Sequence, residues 1–358
     1  MINFEYQNPT RIIFGKSSIK KLSQEVLKYG NHVLLIYGGK STKESGLYDT
    51  ISQQFEANNI QYVELSNIRE SLLEYVYQGI DLCKENQVDV VIGIGGGCCI
   101  DIAKSIALGA ANDVDIWDVL SRKVSWDGLD ALPIGAIVTI AGSGSEMDGN
   151  SEIDNHGIHG SIGSFVKTYP TFSILDPELT YSVPFSLTAY HGVTIIIQAL
   201  EQYFCDTNCT PIQDGFIETI CKTVIESLKT LKDNPQDYDA RSQLMWASAL
   251  VTNRILGRGK QAPWVAGPLG HMIEKKTGLN YSKSIALTFP KYMMVCYKDN
   301  LSLFMQFAIN VMNVDEDLSC EEIAYEGGKR LQDFFVSICI ASNLKELGYT
   351  FTSYEEFQ

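Results

Sequence analysis

Val88-Asp89-Val90-Val91-Ile92-Gly93-Ile94 runs directly into Gly95-Gly96-Gly97, and a helical pattern follows from Ile100 to Leu108. A run this rich in β-branched residues reads as a strand buried on both faces, and three glycines at its end permit a tight strand-to-helix turn. Such a unit belongs in a parallel sheet with crossover helices. Its neighbours repeat the pattern. Val33 to Tyr37 reads as a buried strand ending at Gly38-Gly39, Lys43 to Asn59 as a helix, Gln61 to Leu65 as a strand and Ser71 to Asn86 as a helix, and Ile134 to Ile140 closes the series as a fourth strand.

From about Pro184 the spacing changes to long helical segments separated by Pro, Gly and Asn, among them Leu187 to Phe204, Asp214 to Leu231, Ala240 to Ile255 and Leu301 to Val314. A chain of 358 residues exceeds the size at which one core usually stops growing. Two domains are therefore expected, an α/β domain of nucleotide-binding pattern over 1–183, whose ligand the glycine loops address, and an all-helical domain over 184–358. The 45 % of apolar residues can fill both cores.

A net charge of -15 repels nucleic acid and anionic membrane surfaces, so neither is expected as a partner. No stretch approaches about 18 uninterrupted apolar residues, and Met1 to Thr10 lacks the basic-then-apolar run of a signal peptide. A cytoplasmic protein is the expectation. Nine cysteines without a secretion signal argue for reduced thiols rather than a disulfide framework. Cys205 and Cys209 share helical spacing, but no second Cys or His pair at zinc-site spacing accompanies them.

Gly95-Gly96-Gly97 lies where backbone N–H groups and a helix N-terminus favour a phosphate, although the same glycines also serve a purely steric turn. Gly38-Gly39-Lys40-Ser41 follows the first strand, where the adenosine half of a dinucleotide normally sits. A carboxylate there would bind the ribose 2′-hydroxyl and repel a 2′-phosphate. The chain offers Gly39 instead, with Lys40, Ser41 and Lys43 close by, which favours NADP over NAD; the alternative is an ordinary lysine-bearing loop.

These residues resemble the iron-containing (group III) alcohol dehydrogenase family, in its butanol-dehydrogenase-like branch. The resemblance rests on Asn8-Pro9-Thr10-Arg11-Ile12-Ile13-Phe14-Gly15, Tyr37-Gly38-Gly39-Lys40-Ser41, and Gly95-Gly96-Gly97 followed by Asp101-Ile102-Ala103-Lys104. It continues through Gly144-Ser145-Glu146-Met147, Leu175-Asp176-Pro177-Glu178-Leu179, Leu200-Glu201-Gln202-Tyr203 and Leu244-Met245-Trp246-Ala247. It implies a dehydroquinate synthase-like fold: a Rossmann-like parallel-sheet domain, a helical domain, and a cleft holding NAD(P) and one divalent metal. The metal polarises an alcohol oxygen so that hydride can leave for the nicotinamide. A small alcohol or aldehyde substrate and a homodimer or higher oligomer are further implications.

Alignment within that resemblance assigns Gly38, Gly39, Lys40, Ser41, Gly95, Gly96, Gly97, Cys98, Asp101, Thr139 and Ser143 to the cofactor. Cys98 stands where the family has a serine hydroxyl, and a thiol at a helix N-terminus could also have a lowered pKa and be redox-sensitive. A family lysine that reaches the cofactor finds only His156 and His159 in its segment. The family's Asp, His, His and His metal ligands fall on Thr194, Gln198, Gly267 and Tyr281. None is a carboxylate or an imidazole, so the metal is expected to be absent or weakly bound. Thr194 and Gln198, at i and i+4, would bond each other or a water.

His271 matches a family histidine near the reacting carbon and reads either as a satisfied buried imidazole or as a residual acid-base group; a four-residue gap in the alignment would make it a metal ligand instead, with three of four still missing. His191 reads as a helix-start residue. The chain ends at Gln358, about a helix short of family length, which implies an incomplete edge of the helical domain. Two functions follow: an NAD(P)-dependent oxidoreductase with an altered or absent metal, and a catalytically silent dinucleotide-binding protein acting as sensor, regulator or partner subunit.

Overall fold

Strands buried on both faces must satisfy their backbone groups in a shared sheet. The computed structural model describes residues 1–163, 165–205 and 210–349, and one compact unit, Gln7–Val183, contains that sheet. In chain order its elements are β1 (Arg11–Phe14), α1 (Leu22–Val26), β2 (His32–Tyr37), α2 (Ser41–Glu44), α3 (Leu47–Ala57), β3 (Gln61–Leu65) and α4 (Leu73–Glu85). They continue with β4 (Val90–Gly95), α5 (Gly97–Ala111), α6 (Ile116–Leu120), β5 (Ile134–Val138), β6 (Ser151–Asn155), β7 (Ile158–Ile162) and β8 (Phe172–Leu175).

Six strands pair in the order β1-β8-β5-β4-β2-β3, all parallel, with Val33 opposite Val90 and Ile36 opposite Gly93. The two-residue period of each strand feeds two cores. Leu34, Ile36 and Val91 join one with residues of α4 and α5. Val33, Leu35, Tyr37, Val90 and Ile92 join the other with residues of α1 and α3. Each such side chain, fully buried, contributes about 1.5–3 kcal/mol.

Three departures from the sequence expectation have local causes. The helical stretch from Lys43 to Asn59 is broken at Gly46, whose φ of 77° ends one helix and opens the next. β1 and β8 extend the sheet beyond the expected fourth strand, and at four residues each they are too short to show a period. Ser151–Ile162 forms an antiparallel hairpin whose turn residues, His156 and Gly157, have φ of 54° and 85°. That is the positive-φ geometry two-residue hairpins require.

Gly93 positions the site. A Cβ there would lie 2.8 Å from the Cys99 carbonyl oxygen and 2.9 Å from Ile100 Cα, both backbone atoms of α5. Gly93→Ala is expected to cost about 1–3 kcal/mol by forcing β4 and α5 apart, and to lower the melting temperature by roughly 5 °C. Gly39→Ala, which meets nothing within 4 Å, serves as the control. Equal melting temperatures for the two variants would show that this contact is not tight.

The other compact unit is Pro184–Gln358 together with Met1–Tyr6. The first residues belong with it because Ile2 N donates to the Gly259 carbonyl at 3.0 Å and Arg258 lies over the Tyr6 ring. It holds α7 (Phe185–Tyr203), α8 (Pro211–Asp233), α9 (Tyr238–Thr252), α10 (Ala266–Thr277), α11 (Tyr281–Cys296), α12 (Leu301–Asn310) and α13 (Cys320–Ser337). No strand follows Leu175 among the described residues. α7 is apolar almost all round, as a central helix must be, and packs against α8, α9 and α11. No helix among the described residues is long and apolar enough to cross a membrane.

Candidate functional site

The order of strands reverses direction between β2 and β4: β3 lies beyond β2 on one side, and β5 beyond β4 on the other. Ligands of open α/β sheets bind outside the carboxyl ends of the strands at such a switch point. Gly38-Gly39 leaves the end of β2 and Gly95-Gly96-Gly97 leaves the end of β4, so the two glycine loops flank it. Gly95 has φ 149°, and Gly96 caps α5 in an extended conformation with no side-chain cap. The first amides of α5 are therefore not claimed by a capping side chain, which suits an anion.

Ser143 closes on this loop. A Cβ on Gly97 would lie 3.0 Å from Ser143 Cβ and 3.1 Å from its hydroxyl. Thr139, directly after β5, donates its N–H to the Gly95 carbonyl at 3.0 Å. Gly38, Gly39, Gly95, Gly96, Gly97, Thr139 and Ser143 thus gather at the carboxyl ends of β2, β4 and β5. Lys40 and Ser41 are exposed at the start of α2.

Lys43 is committed elsewhere. Its ammonium lies 4.6 Å from the Tyr48 ring centre and 3.9 Å from Glu64 Oε2, while Tyr37 and Tyr48 both donate to the Glu64 carboxylate. Of the two lysines expected near a 2′-phosphate, Lys40 is the one left exposed without such a cluster.

Asp101 also departs from expectation. Its Oδ1 accepts from Ser145 Oγ at 2.5 Å and its Oδ2 from Glu152 N at 3.3 Å, so the carboxylate is tied to the loop before β6. Desolvation pushes it up to about 7 against the opposing pull of Lys104 and Ser145. Cys98 is exposed. Its thiol is nevertheless raised, first by desolvation of the sulfur, against a lowering from Ser71, with Asp101 and Glu70 adding to the rise. The expected lowering is overturned chiefly because the sulfur is desolvated, and the neighbouring carboxylates of Asp101 and Glu70 add to the rise.

His156 occupies the hairpin turn, and His159 faces Asp154 at 3.7 Å. None of the described cysteines forms a disulfide, and Cys205 is buried; Cys209 lies outside the described residues, as does the chain beyond Tyr349.

In the helical unit, Thr194 and Gln198 both lie on α7, but they do not bond each other. Thr194 Oγ1 donates to the Tyr190 carbonyl one turn back at 2.9 Å, and Gln198 Oε1 is buried without a partner. His191 lies within α7 rather than at its start, and burial pushes its pKa down to about 4. Glu201, on the same helix, accepts from Ala266 N at 2.6 Å; burial pushes it up to about 7. That bond ties α7 to the first residue of α10, next to Gly267. A Cβ at Gly267 would meet nothing within 4 Å.

Tyr281 opens α11 and lies against Gly270 and His271, its ring centre 5.3 Å from the imidazole. His271 Nδ1 is 3.1 Å from Glu274 Oε2, which favours a proton on that nitrogen. These positions do not fit a divalent metal. Thr194 supplies a hydroxyl already bonded to backbone, Gln198 a neutral amide, Gly267 nothing and Tyr281 a phenol with a reference pKa of about 10. The nearest carboxylate on α7, Glu201, is engaged by backbone. Among the described residues no three His, Cys, Asp or Glu side chains come together as a ligand set.

A parallel sheet with two glycine loops at its switch point, followed by a helical unit, is the architecture of a dinucleotide-dependent dehydrogenase. The iron-containing alcohol dehydrogenase family model matches residues 9–177, and the C-terminal model of the same family matches residues 188–357. The chain belongs to the iron-containing alcohol dehydrogenase family, in its butanol-dehydrogenase-like branch. It is 36% identical over 353 residues to NADH-dependent butanol dehydrogenase A of Clostridium acetobutylicum, covering 97% of this chain and 90% of that one. NADPH-dependent aldehyde reductase YqhD of Escherichia coli is 28% identical, covering 97% and 90%. The crystal structure of NADH-dependent butanol dehydrogenase A from Thermotoga maritima superposes with a TM-score of 0.91 at 29% identity, covering 97% of this chain and 87% of that one.

Proposed function

We infer that this protein binds NADP(H) through its α/β unit and that the family's metal-dependent alcohol and aldehyde chemistry does not operate in it. The observation that carries this reading is the donor set Thr194, Gln198, Gly267 and Tyr281. A dication leaves water only when ligands replace its shell, and hard or borderline ions require anionic oxygen or imidazole nitrogen. On this reading the chain is a catalytically silent dinucleotide-binding protein, a sensor, a regulator or a partner subunit.

A second reading, an NAD(P)-dependent oxidoreductase acting on a small alcohol or aldehyde, is favoured by His271. Glu274 orients its imidazole, as a proton-transferring group requires. The relatives' names include both an NADH-dependent butanol dehydrogenase and an NADPH-dependent aldehyde reductase. One hydrogen bond from an imidazole stabilises a developing alkoxide by far less than the several kcal/mol a metal supplies. Turnover by this route is therefore expected to be slow.

The preference for NADP(H) is supported by Gly39, which carries no carboxylate to repel a 2′-phosphate, and by exposed Lys40 beside it. Calorimetric titration is expected to show NADPH binding about tenfold tighter than NADH, the scale of one charge-assisted contact. Lys40→Ala should erase the difference. Tighter NADH binding, or no binding of either, counts against this account of the loop.

A further inference from the structure

Lys104 has no exposed side-chain surface, yet it sits on a helix packed into the sheet. Its ammonium donates to Ser145 Oγ at 2.7 Å, to Asp148 Oδ1 at 2.8 Å and to the Asn150 carbonyl at 2.7 Å. All three protons go to one loop. Ser145 Oγ accepts from Lys104 and donates its own hydrogen bond to Asp101 Oδ1, so lysine, serine and aspartate form a directed chain of hydrogen bonds. One position along α5, the hydroxyls of Ser105 and Ser151 are 2.8 Å apart, and Ser151 donates to the Asp101 carbonyl at 2.8 Å.

Taking an ammonium out of water is unfavourable enough that an apolar side chain often packs such a position with equal or greater stability. The ionic seam supplies direction instead: it fixes the loop from Ser145 to Glu152 in one register on α5. Ser143 stands at the head of that loop, its hydroxyl accepting from Ser145 N at 3.3 Å and its Cβ 3.0 Å from the place of a Gly97 Cβ.

We propose that Lys104, acting through Ser145 and Asp148, is a positioning residue for the dinucleotide, holding Ser143 against Gly97 where the phosphates would lie. This rests on the reading that the α/β unit binds a dinucleotide.

The test titrates NADPH and NADH into the full-length protein and into Ser145→Ala and Asp148→Asn, with hydrogen exchange followed over residues 143–150. Both variants are expected to bind both dinucleotides about tenfold more weakly, the scale of a lost bond to a charged group. The loss should be equal for the two, because a loop that sets the phosphates does not read the 2′ position. Exchange over 143–150 should quicken while β4 and β5 stay protected. Unchanged affinity in a folded variant overturns the proposal, as does unchanged exchange over the loop. If the unmodified protein binds neither dinucleotide, the cofactor reading and the proposal's effect on affinity both fall, and the exchange data alone then judge whether Lys104 holds the loop.

Discussion

Thr194→Asp, Gln198→His, Gly267→His and Tyr281→His, introduced together, are expected to turn a chain that retains no stoichiometric iron or zinc into one that retains about one equivalent. One carboxylate and three imidazoles would then replace a hydroxyl, an amide, an absent side chain and a phenol. Space favours the change at two positions. Nothing lies within 4 Å of a Cβ at Gly267, and an imidazole in place of Tyr281 is smaller than the ring now packed on Gly270. Thr194→Asp must release the bond to the Tyr190 carbonyl, which is among the weaker kinds of helix contact.

Ligands act as a set, so each single substitution should do little. Butyraldehyde reduction with NADPH should rise at least about a hundredfold in the fourfold variant, because Lewis-acid polarisation contributes several kcal/mol and each 1.4 kcal/mol is tenfold in rate. A fourfold variant that melts like the parent and still takes up no metal would mean that these four positions do not face one another.

The second large effect is on stability against pH. Burial raises Asp101, Glu146 and Glu201 each to about 7. In the unfolded chain they are ionised above their ordinary carboxylate range, so folding takes up protons between about pH 4 and 7. The stability held by these groups is present at low pH and is lost as pH rises through 7. From pH 6 to 8 each loses about 1.4 kcal/mol, together a few kcal/mol, and the melting temperature should fall over that interval.

His191 works in the opposite sense over much of the same range. Its pKa is pushed down to about 4, so the fold keeps it neutral and loses stability as pH falls below about 6.5. Between about pH 4 and 6.5 the three carboxyls lose more with each pH unit than the one imidazole gains, so these groups together place maximal stability near pH 4 to 4.5, and Glu201→Gln should flatten the fall toward neutral pH. A melting temperature that is level or rising between pH 6 and 8 contradicts the burial of these carboxyls.

Much of the α/β unit was legible because β2 and β4 are short, nearly continuous apolar runs that end on glycines, a pattern few other structures accommodate. β1 and β8 were not, since four residues show no period. The hairpin over 151–162 was hidden because its signal is a positive-φ turn at His156-Gly157, where a histidine takes the place of the usual asparagine. The site divides in the same way. The glycine loops follow from local sequence. Lys43's commitment to Glu64 depends on β2 pairing with β3, and Asp101's engagement by Ser145 depends on a loop more than forty residues away. Tertiary contacts of that kind leave no trace in spacing. The significance of Thr194, Gln198, Gly267 and Tyr281 on α7, α10 and α11 comes only through the family resemblance, since nothing in the residues themselves marks them as positions where a metal would be held.

The most direct test of the account is the metal content of the unmodified protein after equilibration with ferrous iron or zinc and saturating NADPH, followed by removal of free ions. The account predicts bound dinucleotide and no stoichiometric metal; a full equivalent of either ion, retained with the dinucleotide, would contradict it.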